Sequence, residues 1–156
     1  MDRTLTPAGK LSGETTVPGE LDVAAEALVL ASMSHEESRV ANVPVAIEPV
    51  VEVVRSLGTR VEQTDSCLQV QGTVLGQWSA PSATVDLSVC GEAGLPLMAA
   101  LAGHAFAVRV RVDEASVELA RRLIQLLAQM GLTASEESDG VFRFEGERSL
   151  RGAEYG

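Results

Sequence analysis

Residues 57–72, LGTRVEQTDSCLQVQG, and residues 130–146, MGLTASEESDGVFRFEG, decide the fold. Each has a glycine in its second position after a helix-like run, Gly58 and Gly131, placed for a left-handed helix cap. Each continues as a short strand and then a polar turn, Thr64–Asp65–Ser66 or Ser138–Asp139–Gly140. An alternating strand follows, carrying Leu68 and Val70 in the first stretch and Val141, Phe142 and Phe144 in the second. Two short strands around a polar turn read as a β-hairpin. The hairpin is therefore used twice, about 73 residues apart, and the sequence around it repeats as well.

Upstream of the first hairpin, residues 47–57 place Ile47, Val50, Val51, Val54 and Leu57 on one helical stripe. Upstream of the second, residues 116–130 do the same with Leu119, Leu123, Leu126, Leu127 and Met130, and Ser116 stands where an N-cap belongs. Short strands are predicted before these helices, at 38–41 and 105–112. Each is preceded by a further apolar helix, at 23–33 and 93–102, and a first strand opens each unit at 14–17 and 84–88. Pro49 and Pro96 fall in first helical turns, where proline is tolerated. The predicted architecture is one domain over 1–156 of α/β (α+β) class. It contains two tandem β-α-β-α-β-β units at about 13–73 and 83–147, with helix stripes packed on sheets. Gly19, Gly58, Gly72, Gly91, Gly103 and Gly131 are expected at turns and caps that use positive φ.

Composition sets the outer limits. A chain of 156 residues, 46% apolar, can bury a core, and its five aromatic residues leave that core to Val, Leu, Ala and Ile. The formal charge of −10 argues against nucleic-acid partners, because an acidic surface repels phosphate backbones. No apolar run approaches membrane-span length, so no membrane partner is expected. The opening MDRTLTPAGK has no apolar signal core, and Cys67 and Cys90 stand too far apart in sequence to suggest a disulfide framework. Both point to a reducing cytoplasm. One lysine against eleven arginines, with an Ala/Val/Leu bias, suggests a GC-rich bacterial source.

Residues 13–19, GETTVPG, the apolar helix after them and the two β-α-β-α-β-β units resemble the enolpyruvyl transferase family. Within it they resemble enolpyruvylshikimate phosphate synthases more than UDP-N-acetylglucosamine enolpyruvyl transferases. The resemblance runs over about 9–155. It implies part of one lobe of an inside-out α/β barrel, in which three such units make a lobe and two lobes close on an active cleft. Three-unit lobes in that family close around a pseudo-threefold axis with helices packed together inside.

The family's anion-binding motifs do not carry over. Its opening Pro-Gly-Asp-Lys-Ser, followed after three residues by Arg, aligns with Pro18, Gly19, Glu20, Leu21 and Asp22, and Glu26 stands in place of the Arg. Its Gly-Thr-Thr-Met-Arg, whose Arg grips phosphoenolpyruvate, aligns with Gly91, Glu92, Ala93, Gly94 and Leu95. Its Arg-Arg-Pro or Lys-Arg-Pro triplet before the long helix aligns with Val117, Glu118 and Leu119. Phosphate sites need several donors and positive charge converging on one oxygen cluster. A carboxylate in an arginine's place removes the donor and adds repulsion, up to about 4 kcal/mol at ~4 Å and an effective dielectric of 20.

Enolpyruvyl transfer by this chain alone is therefore not expected, and no catalytic residue for it, no metal site and no cofactor are assigned. Glu20, Asp22, Glu26, Glu92 and Glu118 are the candidate ligand-binding groups of the former anion pocket. Two units without a third leave an apolar helix surface open, and such surfaces mark interfaces. The expectation is a binding, scaffolding or oligomerisation module, a homo-oligomer or one docked on a protein partner through 47–57 and 116–130. Val50, Val54, Leu119, Leu123 and Leu126 are the interface candidates. Two alternatives stand beside it. One is a small-molecule enzyme that uses cleft carboxylates on a neutral or cationic ligand. The other is a fragment or subunit of a transferase.

The remaining chemistry-bearing residues have plainer readings. His35 sits in a polar turn and His104 at a helix exit, where histidine favours the helix C-terminus. Residues 86–94, DLSVCGEAG, lack the Gly-Lys-Ser/Thr ending of a phosphate loop. Cys90 precedes a helix start, which lowers a thiol pKa, but Glu92 opposes this. Arg109, Arg111, Arg121 and Arg122 form the one basic concentration and are expected to balance nearby acids.

Overall fold

A computed structural model describes residues 17, 19–74, 76–146 and 150–152. The first half runs α1 (Leu21–Ser32), β1 (Glu37–Ala41), a 3-10 turn (Val45–Ile47), α2 (Glu48–Ser56), β2 (Arg60–Thr64) and β3 (Cys67–Gln71). The second half runs β4 (Val85–Asp86), a 3-10 turn (Gly91–Gly94), α3 (Leu95–Ala102) and β5 (Val108–Arg111). It continues with a 3-10 turn (Glu114–Ser116), α4 (Val117–Gln129), β6 (Ala134–Ser138) and β7 (Val141–Phe144). One sheet has the order β1-β3-β2 and the other β4-β5-β7-β6, so three strands follow the same order in both. All pairings are antiparallel except β4 with β5. The fold is mixed α/β, with each hairpin where the two quoted stretches place it.

The strand expected at 14–17 lies, but for its last residue, outside the described residues. The chain that follows it is held as its counterpart is: Gly19 N–H donates to the Asn42 carbonyl at 3.0 Å, and Leu87 N–H to the Arg111 carbonyl at 2.8 Å. The helix ends before the hairpins also match. Gly58 and Gly131 have φ of 97° and 99°, which a side chain tolerates poorly, and the next residues bond back to the Val54 and Leu127 carbonyls. Period-two alternation then turns Val61, Leu68 and Val70 inward in the first sheet. Val108, Val110, Phe142 and Phe144 do so in the second, where Val110 faces Phe142 and Val108 faces Phe144 across the ladder.

Several expectations need correction. The strand at 84–88 is only Val85–Asp86, because the Asp86 carboxylate accepts the Ser88 N–H at 3.0 Å and turns the chain. The strand at 105–112 is trimmed to Val108–Arg111. Ser116 takes the N-cap position of α4, but its side chain makes no capping bond there. Asp113 caps the 3-10 turn ahead of it, accepting the Ser116 N–H at 3.1 Å and the Ser116 hydroxyl at 2.7 Å. Of the six glycines, Gly58, Gly91 and Gly131 have positive φ. Gly19 and Gly72 are instead pressed against backbone carbonyls, of Asn42 and of Ala31 and Ser34, and Gly103 ends α3 at φ −81°.

The two halves are tied by their linker and their helices. Trp78 is buried and stacks on His104, just after α3, with ring centroids 4.6 Å apart and planes within 7°. Ser79 N–H donates to the Leu57 carbonyl at 2.9 Å, fixing the same segment to the end of α2. α1 packs on its own sheet, on α2 and on α3, and α3 packs on α4.

Candidate functional site

α1 and α3 are unusual surface helices because they lack a polar face. α3 reads LPLMAALA, with no polar side chain, and α1 carries only Asp22, Glu26 and Ser32 among its twelve residues. Helices apolar all round are built to be covered on more than one side. In α1 the inner face, including Ala25 and Leu28, meets the core, while Val23 and Leu30 remain 63% and 68% exposed. In α4, Val117, Ala120 and Leu127 are buried, and Leu119 remains exposed.

Between α1, α3 and α4 these faces leave an open groove of about 750 Å³. α1 contributes Val29 and Leu30, with Met33 just past its end, and α3 contributes Leu95, Pro96 and Ala99. Leu119, Leu123 and Leu126 line it from α4. Asp22, Glu26 and Glu92 also line it, with Arg122 as the one basic residue.

The structure sorts the sequence candidates accordingly. Asp22, Glu26 and Glu92 come together at the groove, Glu118 lies on α4 beside Arg122 at 3.6 Å, and Glu20 precedes α1 without capping it by its side chain. All five carboxylates are exposed. Leu119, Leu123 and Leu126 line the groove. Val50 and Val54 do not: they are 1% and 0% exposed inside the chain's own core. That corrects their assignment to an interface. The whole 47–57 stripe is covered by the first unit itself, with α2 packed on α1 and β2, so no partner can reach it. The sequence reading also passed over Leu30, Leu95 and Pro96; the missing polar face of α1 and α3 was the signal that marked them.

The groove holds no cluster of cations. Whatever the alignment register of the family motifs, residues 11–38 and 61–108 contain no Lys or Arg, and these spans include all of α1 and α3. No ion pair reaches Asp22, Glu26 or Glu92 among the described residues. Of the basic concentration only Arg122 lines the groove, and the other three arginines lie elsewhere and are committed. Arg121 pairs with Glu136 at 2.8 Å and Asp139 at 3.1 Å, Arg109 with Glu137 at 2.8 Å, and Arg111 faces Asp86 across the β4–β5 register.

Other reactive groups serve the structure. His104 is 1% exposed, and its Nδ1–H donates to the Ala100 carbonyl at 2.9 Å, in the last turn of α3. His35 is exposed in a turn. Burial, aided by Asp86, pushes the Cys90 thiol up to about 11, so the helix start beside it does not activate it. Among the described residues no group of three His, Cys, Asp or Glu side chains is placed to hold a metal. Among them, too, no helix is long and apolar enough to cross a membrane.

Comparison with known proteins fits this geometry. A family described as EPSP synthase (3-phosphoshikimate 1-carboxyvinyltransferase) matches residues 5–155. The 3-phosphoshikimate 1-carboxyvinyltransferases of Streptococcus pyogenes serotype M49 (strain NZ131) and serotype M28 (strain MGAS6180) are 30% identical over 156 aligned residues. These cover 96% of this chain and 36% of each relative. In fold, the chain is similar to an EPSP synthase from Acinetobacter baumannii, with a TM-score of 0.78 at 18% identity, over 92% of this chain and 34% of that one. It is also similar to the enolpyruvyl transferase NikO from Streptomyces tendae, with a TM-score of 0.66 at 18% identity, over 90% and 31%. The chain thus spans about a third of the length of these relatives, the share expected of two units in six. This chain belongs to the EPSP synthase family and carries part of the enolpyruvyl transferase fold.

Proposed function

We propose that this chain is a non-catalytic binding module on a partial EPSP synthase fold, with the groove between α1, α3 and α4 as its binding surface. One observation carries the reading: α1 and α3 hold no Lys or Arg, and Leu21, Asp22 and Glu26 stand where the resemblance to the family puts its Lys, Ser and Arg. Phosphate and carboxylate substrates need convergent positive donors, and lining carboxylates repel them. What the groove offers instead is apolar surface, which favours association by burial. A general acid–base enzyme built on Asp22 or Glu26 finds no support here, because both are exposed and neither is in an ion pair among the described residues.

Two assays test the reading on the purified chain. Carboxyvinyl transfer from phosphoenolpyruvate to 3-phosphoshikimate is expected to be absent, and measurable turnover would refute a non-catalytic role. Nile red, a neutral apolar dye, is expected to bind the native chain and to lose its fluorescence gain in Leu30→Asp/Leu119→Asp. Both positions are exposed enough, at 68% and 37%, for the fold to survive. Equal dye binding by that variant, with its circular dichroism unchanged, would place the binding surface elsewhere.

A further inference from the structure

We draw no further inference here: the strongest candidate, the half-buried Cys67 thiol on β3 that accepts a hydrogen bond from Arg39 Nε of β1 at 3.0 Å, is a lone cysteine, and nothing else among the described residues points to a ligand there.

Discussion

Removing the carboxylate of Asp113 should loosen the wall of the groove that α4 provides. Its two oxygens accept the Ser116 N–H at 3.1 Å and the Ser116 hydroxyl at 2.7 Å, closing the 3-10 turn from which α4 starts. Loss of a side-chain cap of this kind costs about 1 kcal/mol, within a range of 0.5–2. For a domain of this size that is a fall of roughly 2–4 °C in Tm. Asp113→Asn keeps an acceptor for the amide and should cost only a few tenths of a kcal/mol, since Asn and Asp are comparable caps. Ser116→Ala removes the hydroxyl donor from a site 1% exposed and should cost about 1 kcal/mol. The double variant should then show coupling of about 0.5–1 kcal/mol.

The same contact predicts a pH dependence. Hydrogen bonds from Ser116 hold the Asp113 carboxyl below its ordinary value. A lowered folded-state pKa means that the native state favours the ionised form. The stabilisation is therefore present above the unfolded pKa, near 4, and is lost as pH falls through the lower folded value. Urea denaturation followed by Trp78 fluorescence and by far-ultraviolet circular dichroism, at pH 7 and at about pH 3, reads both effects. The difference between wild type and Asp113→Ala should shrink at the lower pH. An Asp113→Ala variant within a few tenths of a kcal/mol of wild type at pH 7, or strictly additive single variants, would refute the capping argument. The first unit provides a control, because its corresponding turn begins at Pro44 and has no side-chain cap.

Further outcomes follow from the interior. Gly131→Ala should cost about 1–2 kcal/mol in the same denaturation assay, because φ of 99° strains a residue with a Cβ even though open space surrounds it. Trp78→Ala should cost about 3–5 kcal/mol and make the two halves unfold less cooperatively, a separation that circular dichroism would show as a broadened transition, since Trp78 is buried on His104 between them. Ellman's reagent at pH 8 should modify the half-buried Cys67 promptly and Cys90 only as fast as the chain opens, since burial leaves the Cys90 thiol protonated.

Much of the fold is legible in local sequence. The hairpins follow from a capping glycine, a polar turn and period-two alternation, all three carried by residues 57–72 and 130–146. α2 is legible because Val50, Val51 and Val54 within it and Ile47 and Leu57 at its two ends fall on one stripe. Where the reading failed, tertiary context decided. The 47–57 and 116–130 stripes look alike in sequence, yet the first is sealed by its own unit, while part of the second faces a groove. Ser116 and Asp113 are both capping residue types, and the intervening 3-10 turn moved the cap three residues upstream. The strand after Thr84 stops early because the Asp86 side chain competes for backbone hydrogen bonds, which periodicity does not register. Of the candidate site, the carboxylates came from comparing motifs and Leu119, Leu123 and Leu126 from the 116–130 stripe, while Leu30, Leu95 and Pro96 were passed over. Only the packing of α1, α3 and α4 could bring the two into one groove.

The central claim is that this chain keeps the family's skeleton without its anion chemistry. Calorimetric titration of the purified chain with phosphoenolpyruvate and 3-phosphoshikimate, separately and together at low ionic strength, tests it most directly, because weak screening gives any remaining anion site its greatest strength. The account predicts no saturable heat in any of the three titrations. Saturable binding of either anion, weakened by added salt, would mean that a cationic pocket persists, and would contradict it.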